Sequence, residues 1–120
     1  MLLSCLIVDD SPTFLEAAAG LLEREGVAVL GVASTADQAV RRAHELRPDV
    51  VLVDIALGTE SGFDLARRLV EQEPGGAEVI LISTHAEADF ADLIEQAPVL
   101  GFVAKSELSA SAIRRLATTA

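Results

Sequence analysis

Five polar positions in this chain each close a short apolar run. Asp9 and Asp10 end "LIVDD", Asp54 ends "VVLVD", Ser83 follows "VILI", with Thr84 as its neighbour, and Lys105 follows "GFVA". Lys105 is the only lysine among the nine basic residues. Taken singly, each has an ordinary explanation. An Asp or Ser after a strand is often a turn residue or a helix cap, and a lone lysine is usually a solvated charge. Taken together, they have a chemical reading. Three clustered carboxylates repel one another and lose hydration. A hard divalent cation offsets both, and Mg²⁺ favours oxygen ligands. Mg²⁺, a carboxylate nucleophile, an ammonium and a hydroxyl suit phosphoryl transfer, since metal and lysine neutralise charge on the transferring group. A carboxylate can accept that group as an acyl phosphate. Asp54 is the best nucleophile candidate, lying between the Asp9–Asp10 pair and the Ser83/Lys105 side, and "ILIS" favours Ser83 over Thr84 as the hydroxyl.

The elements that must position these groups are legible as short Val/Ile/Leu runs alternating with amphipathic segments. Strands are expected at Leu3–Val8, Val27–Ala33, Val50–Val53, Val79–Ile82 and Leu100–Ala104. Helices are expected over Pro12–Arg24, from the Thr35/Gln38 capping box to Leu46, from Ser61/Asp64 to about Glu73, over Glu87–Ala97, and after Leu108-Ser109, with Ile113 completing a staple. Five βα units predict an α/β fold, a doubly wound parallel sheet with helices on both faces. In such sheets ligands bind at the carboxyl ends of the strands, where all five positions fall.

The totals bound the rest. With 120 residues, 51% of them hydrophobic, the chain is expected to make a single domain over residues 1–120 with no output module, and to build its core without staples. The single cysteine, Cys5, lies in an apolar run and reads as a small hydrophobe. A net charge of −10 disfavours nucleic acid and anionic membranes as direct partners. No apolar run approaches the roughly 18 residues of a membrane span, and no basic secretory n-region opens the chain. The expected location is the cytoplasm.

"VDDSP", "LVDIALGTESGFDL", "VILIST" and "GFVAKSELS" occur in order and spacing along essentially the whole chain. In these the chain resembles the receiver domains of bacterial two-component response regulators. The resemblance implies a five-stranded sheet in the order 2-1-3-4-5. It implies Asp54 as phosphoacceptor, Asp9 and Asp10 as the acidic pair serving Mg²⁺, and Ala56 as donor of a backbone carbonyl to the metal. Ser83 and Lys105 would meet the phosphoryl oxygens, and Phe102 would be the aromatic switch partner of Ser83, or plain core packing. Ala56 and His85 occupy positions that tune phosphoryl loss; an exposed loop histidine is the plainer reading of His85, and His44 reads as a surface residue. The implied partners are a sensor histidine kinase or phosphotransfer protein and an unknown downstream protein. A homodimer through the fourth helix, fifth strand and fifth helix is a further implied contact.

The chain also departs from the family pattern. Gly58 stands where proline is common, which predicts a looser loop after Asp54. Ser106 replaces the usual proline after the lysine, so a trans bond is expected, because a non-proline cis bond costs about 3–4 kcal/mol. Pro98 is expected to shorten the fourth helix. Two other functions fit the same fold. A degenerate receiver would act as a phosphorylation-independent docking or dimerisation module, yet such receivers usually lose an acidic residue or the lysine, and this chain keeps them. A phosphatase turning over an aspartyl phosphate usually needs a second acid two residues past the nucleophile, where this chain has Ala56. No glycine-rich nucleotide loop is present.

Overall fold

The computed structural model describes residues 2–118. Five strands form one parallel sheet: β1 (Ser4–Val8), β2 (Ala28–Ala33), β3 (Val50–Asp54), β4 (Glu78–Ser83) and β5 (Gly101–Ala104). Their order is β2-β1-β3-β4-β5. The sheet therefore grows one way from β1 to β2 and the other way from β3 onward, and the reversal lies between β1 and β3. Val8 pairs with Val53 across that junction, so Asp9 and Asp54 leave the sheet side by side.

Alternation along the strands splits the core in two. Leu6, Val8, Val51, Val53, Val79 and Leu81 pack on one face, against Ala36 and Ala39 of α2 (Ala36–Leu46) and Leu65, Ala66 and Leu69 of α3 (Gly62–Gln72). Cys5, Ile7, Val50, Leu52, Ile80 and Ile82 pack on the other face. They meet Leu15, Ala18 and Leu22 of α1 (Pro12–Arg24) and Ile113 of α5 (Ala110–Thr118). Each large aliphatic chain buried this way contributes about 1.5–3 kcal/mol. β2 is an edge strand, and its register on β1 jumps between Cys5↔Val29 and Leu6↔Gly31. Leu30 is the extra residue, which leaves it exposed.

The helix starts follow their capping residues. Ser11 Oγ accepts from Phe14 N–H, with Pro12 inside the first turn of α1. Thr35 Oγ1 accepts from Gln38 N–H, but Gln38 Oε1 reaches back to Ser34 N–H rather than to Thr35, one residue off an ordinary capping box. Ser61 Oγ accepts from Phe63 and Asp64 N–H, whereas the Asp64 carboxylate turns outward to Arg67. Ser109 Oγ accepts from Ala112 N–H at the start of α5.

The expected helix over Glu87–Ala97 needs correction. Glu87–Phe90 forms a 3₁₀ turn, and only Ala91–Gln96 is α-helical (α4). Neither Ala86 nor Phe90 supplies a side-chain cap, and Pro98 lies just beyond. Phe90, Ile94 and Ala97 still pack on the core as their spacing predicts. No described peptide bond is cis, so Lys105–Ser106 is trans. No described helix is long and apolar enough to cross a membrane.

Candidate functional site

The carboxyl ends of β1, β3, β4 and β5 meet at one rim of the sheet. Asp9 is fully buried there and Asp54 is 6% exposed, whereas Asp10 is exposed. One carboxylate oxygen from each of the three lies within 4.8 Å of the other two. Lys105 reaches in from the end of β5. Its Nζ stands 2.6 Å from Asp9 Oδ2 and 3.1 Å from Asp54 Oδ2, and its side chain is 14% exposed. Asp54 Oδ2 accepts a hydrogen bond from Nζ. The Lys105 ammonium is the sole polar neighbour found for Asp9 Oδ2 among the described residues, and it pairs with that buried oxygen as an ion pair. The other oxygens are held by the backbone: Ser11 N–H donates to Asp9 Oδ1 (2.8 Å) and Ala56 N–H to Asp54 Oδ1 (3.2 Å).

Electrostatics follow from this crowding. Burial raises the Asp54 carboxyl above its ordinary range; the Ala56 N–H pulls it down, the Asp9 charge pushes it up, and Lys105 pulls it down. Burial lowers Lys105, but the two carboxylates outweigh it and the ammonium is held above its usual value. With Lys105 charged, the rim carries three carboxylates against one cation. Three clustered hard oxygen donors with excess negative charge form a set that fits a divalent cation.

The loop after Asp54 forms a hairpin. Ala56–Leu57 and Glu60–Ser61 pair as a small antiparallel ribbon, and Gly58 supplies, at φ +59°, the positive φ that a two-residue hairpin needs at its first central position. Glu60 Oε1 accepts from Ala36 N–H, tying the ribbon to the start of α2. Gly58 lies beside the acidic cluster, where a β-carbon would stand 3.7 Å from Asp10 Oδ2.

The remaining predicted residues separate into two groups. Ser83 is buried at the end of β4 and accepts from His85 N–H (3.0 Å), while Thr84 is exposed. His85 is itself exposed, its ring edge-on to Phe90 at 6.0 Å. Phe102 is half-buried. It lines a groove of about 590 Å³ with His85, Ala104 and Arg115. His44 is on the surface far along α2, against Glu73. One neighbour of the site escaped the sequence reading. The Lys105 ammonium lies over the Phe14 ring, 4.4 Å from its centroid. Phe14 reads as one more apolar residue of α1; its only signal was its place four residues after Asp10.

A family model described as the response regulator receiver domain matches residues 5–117. The chain belongs to that family. This receiver is 30% identical over 113 residues to protein-glutamate methylesterase/protein-glutamine glutaminase 1 of Syntrophus aciditrophicus, covering 91% of this chain and 32% of that protein. It resembles the crystal structure of a LuxR-family two-component response regulator from Aurantimonas sp. SI85-9A1 (TM-score 0.88, 27% identity, 99% of this chain and 87% of that one). It also resembles a response regulator from Burkholderia pseudomallei crystallised with a phosphorylated aspartic acid, calcium ion and citrate (TM-score 0.81, 27% identity, 98% of this chain and 69% of that one). The receiver spans about half or less of the length of the curated relatives it matches.

Proposed function

We propose that this receiver takes a phosphoryl group onto Asp54, in a reaction that needs Mg²⁺, and signals through the conformational change that follows. The observation that carries this reading is the position of Lys105 Nζ, shared between the buried carboxylates of Asp9 and Asp54 with Asp10 beside them. The phosphorylated aspartic acid and calcium ion of the Burkholderia pseudomallei relative support it. Asp9, Asp10, Asp54 and the carbonyl of Ala56 are the residues that would hold the metal. When bound, Mg²⁺ supplies charge neutralisation for the phosphoryl oxygens.

The chain's own residues do the rest. An ionised Asp54 oxygen attacks phosphorus; the new O–P bond forms as the P–N bond to a donor histidine breaks, and the leaving imidazole keeps the electron pair and takes up a proton. The Ala56 N–H and the Lys105 ammonium favour the ionised carboxylate against its burial. Lys105 and the Ser83 hydroxyl then hold the transferred oxygens. Drawing Ser83 to the phosphoryl group would break its bond from His85 N–H and free Phe102 to turn inward, shifting a pre-existing population. His85 and Ala56 would set how readily water reaches the acyl phosphate. The phosphoryl donor is a sensor histidine kinase or phosphotransfer protein in the cytoplasm. The face formed by α4, β5 and α5 would meet the downstream protein or a second copy of the chain.

The test is intact mass after incubation with acetyl phosphate, with and without Mg²⁺, beside Asp54→Ala. A single magnesium-dependent phosphoryl adduct absent from the variant is expected. No adduct on a folded wild-type chain, with either acetyl phosphate or a phosphorylated histidine donor, would reject the reading.

A further inference from the structure

A closed circuit of contacts joins α1 to the acidic rim. Ser11 N–H donates to Asp9 Oδ1, and Ser11 Oγ accepts from Phe14 N–H. The Phe14 ring lies under the Lys105 ammonium, and that ammonium is paired with Asp9 Oδ2. The Ser11 cap and Pro12 fix the first turn of α1, and so fix where the ring stands. We infer that Phe14 is a positioning residue for Lys105, holding the ammonium over its ring face so that the N–H donors point at Asp54 and at an oxygen arriving there.

The chemistry favours an aromatic in this place. A lysine ammonium sits on a flexible four-carbon stem and loses much freedom when held in one geometry. A hydrogen-bonding anchor would consume one of its three donors, and an acidic anchor would add a fourth negative charge to the rim. The ring face attracts the cation through its quadrupole and adds no negative charge to the rim. The contact is shielded from water, with Lys105 14% exposed and Phe14 packed on the core side of α1, which strengthens it.

This inference rests on Asp54 being the phosphoacceptor, and the test separates the two. The full chain would carry, at position 14, phenylalanine analogues with one, two and three ring fluorines, which drain the ring face of charge at nearly constant shape. Phe14→Leu and Phe14→Tyr complete the set. Two signals are read: the rate of phosphoryl-adduct formation from acetyl phosphate at saturating Mg²⁺, and the NMR shift of the Lys105 ε-methylene protons. The rate is expected to fall stepwise with fluorination, by about two- to thirtyfold in all, the rate equivalent of one such contact. The methylene protons are expected upfield in the wild type, released in Phe14→Leu and restored in Phe14→Tyr. A rate that ignores fluorination would make the ring mere packing and overturn the inference. A methylene shift unchanged in Phe14→Leu would overturn the contact itself. A wild-type chain that takes no phosphoryl group would sink the phosphoacceptor reading and Phe14's role in it, while the methylene shift would still establish or refute the contact.

Discussion

A β-carbon on Gly62 would lie 2.2 Å from the carbonyl oxygen of Asp54. The first residue of α3 thus passes directly against the backbone that carries the central carboxylate, where its own N–H also donates to Ile55 O (2.8 Å). Only a residue without a side chain allows that approach. Gly62→Ala must therefore displace the Asp54–Ile55 backbone. Such overpacking typically costs about 1–3 kcal/mol. The variant is expected to unfold at lower denaturant and to take up phosphate more slowly than its remaining folded fraction accounts for. A denaturant titration beside the adduct rate checks this.

Asp54 is expected to be held at the expense of stability. Its raised carboxyl means that the folded chain binds that proton more tightly than the unfolded chain does. The sign follows: this group's contribution declines as pH rises from the ordinary aspartate range, near pH 3.9, through the raised folded value. Asp54→Asn keeps the shape and removes the charge, leaving Lys105 paired with Asp9. Its Tm in metal-free buffer is expected to exceed that of the wild type, by a margin that widens as the pH is raised from acid to neutral. A constant margin across that range would contradict the account.

Mg²⁺ is expected to stabilise the fold by mass action, by about 1.4 kcal/mol when present at roughly ten times its Kd. Asp10→Asn should weaken this most cleanly, because Asp10 is exposed and its loss leaves no buried charge unpaired. Thermal melts against Mg²⁺ concentration would show the wild-type Tm climbing and the Asp10→Asn curve displaced to higher concentration.

Cys5 offers a control away from the site. It is fully buried, and burial first, with the Glu23 charge second, pushes its thiol up from 9.0 to about 12. Above pH 9 the unfolded chain loses this proton while the folded chain keeps it, so stability falls by about 1.4 kcal/mol per pH unit from this group until pH approaches 12. Cys5→Ala is expected to flatten that part of the alkaline slope. The native thiol should react with a disulfide reagent only as fast as the chain opens.

Strand positions, the split of apolar residues between two faces, and the carboxylates at strand ends were legible because they rest on local periodicity and chain order. Val50–Val53 reads as a buried strand, and Asp54 follows it directly. Asp9, Asp10, Asp54 and Lys105 were found as chemistry-bearing types because charge after an apolar run is conspicuous in one dimension. The order that makes β1 and β3 neighbours came from resemblance, since strand composition does not specify which strands pair.

The tertiary structure decided what depends on distance between separate elements. It paired Lys105 with Asp9 at 2.6 Å as well as with Asp54, and it laid the ammonium on Phe14. It turned the loop with Gly58 into a ribbon tied by Glu60 to α2, and it broke the fourth helix into a 3₁₀ turn and a short α-helix. A residue's type is written in the sequence. Its partners across long stretches of chain are set by how the packed helices approach the sheet edge, and neither propensity nor spacing encodes that.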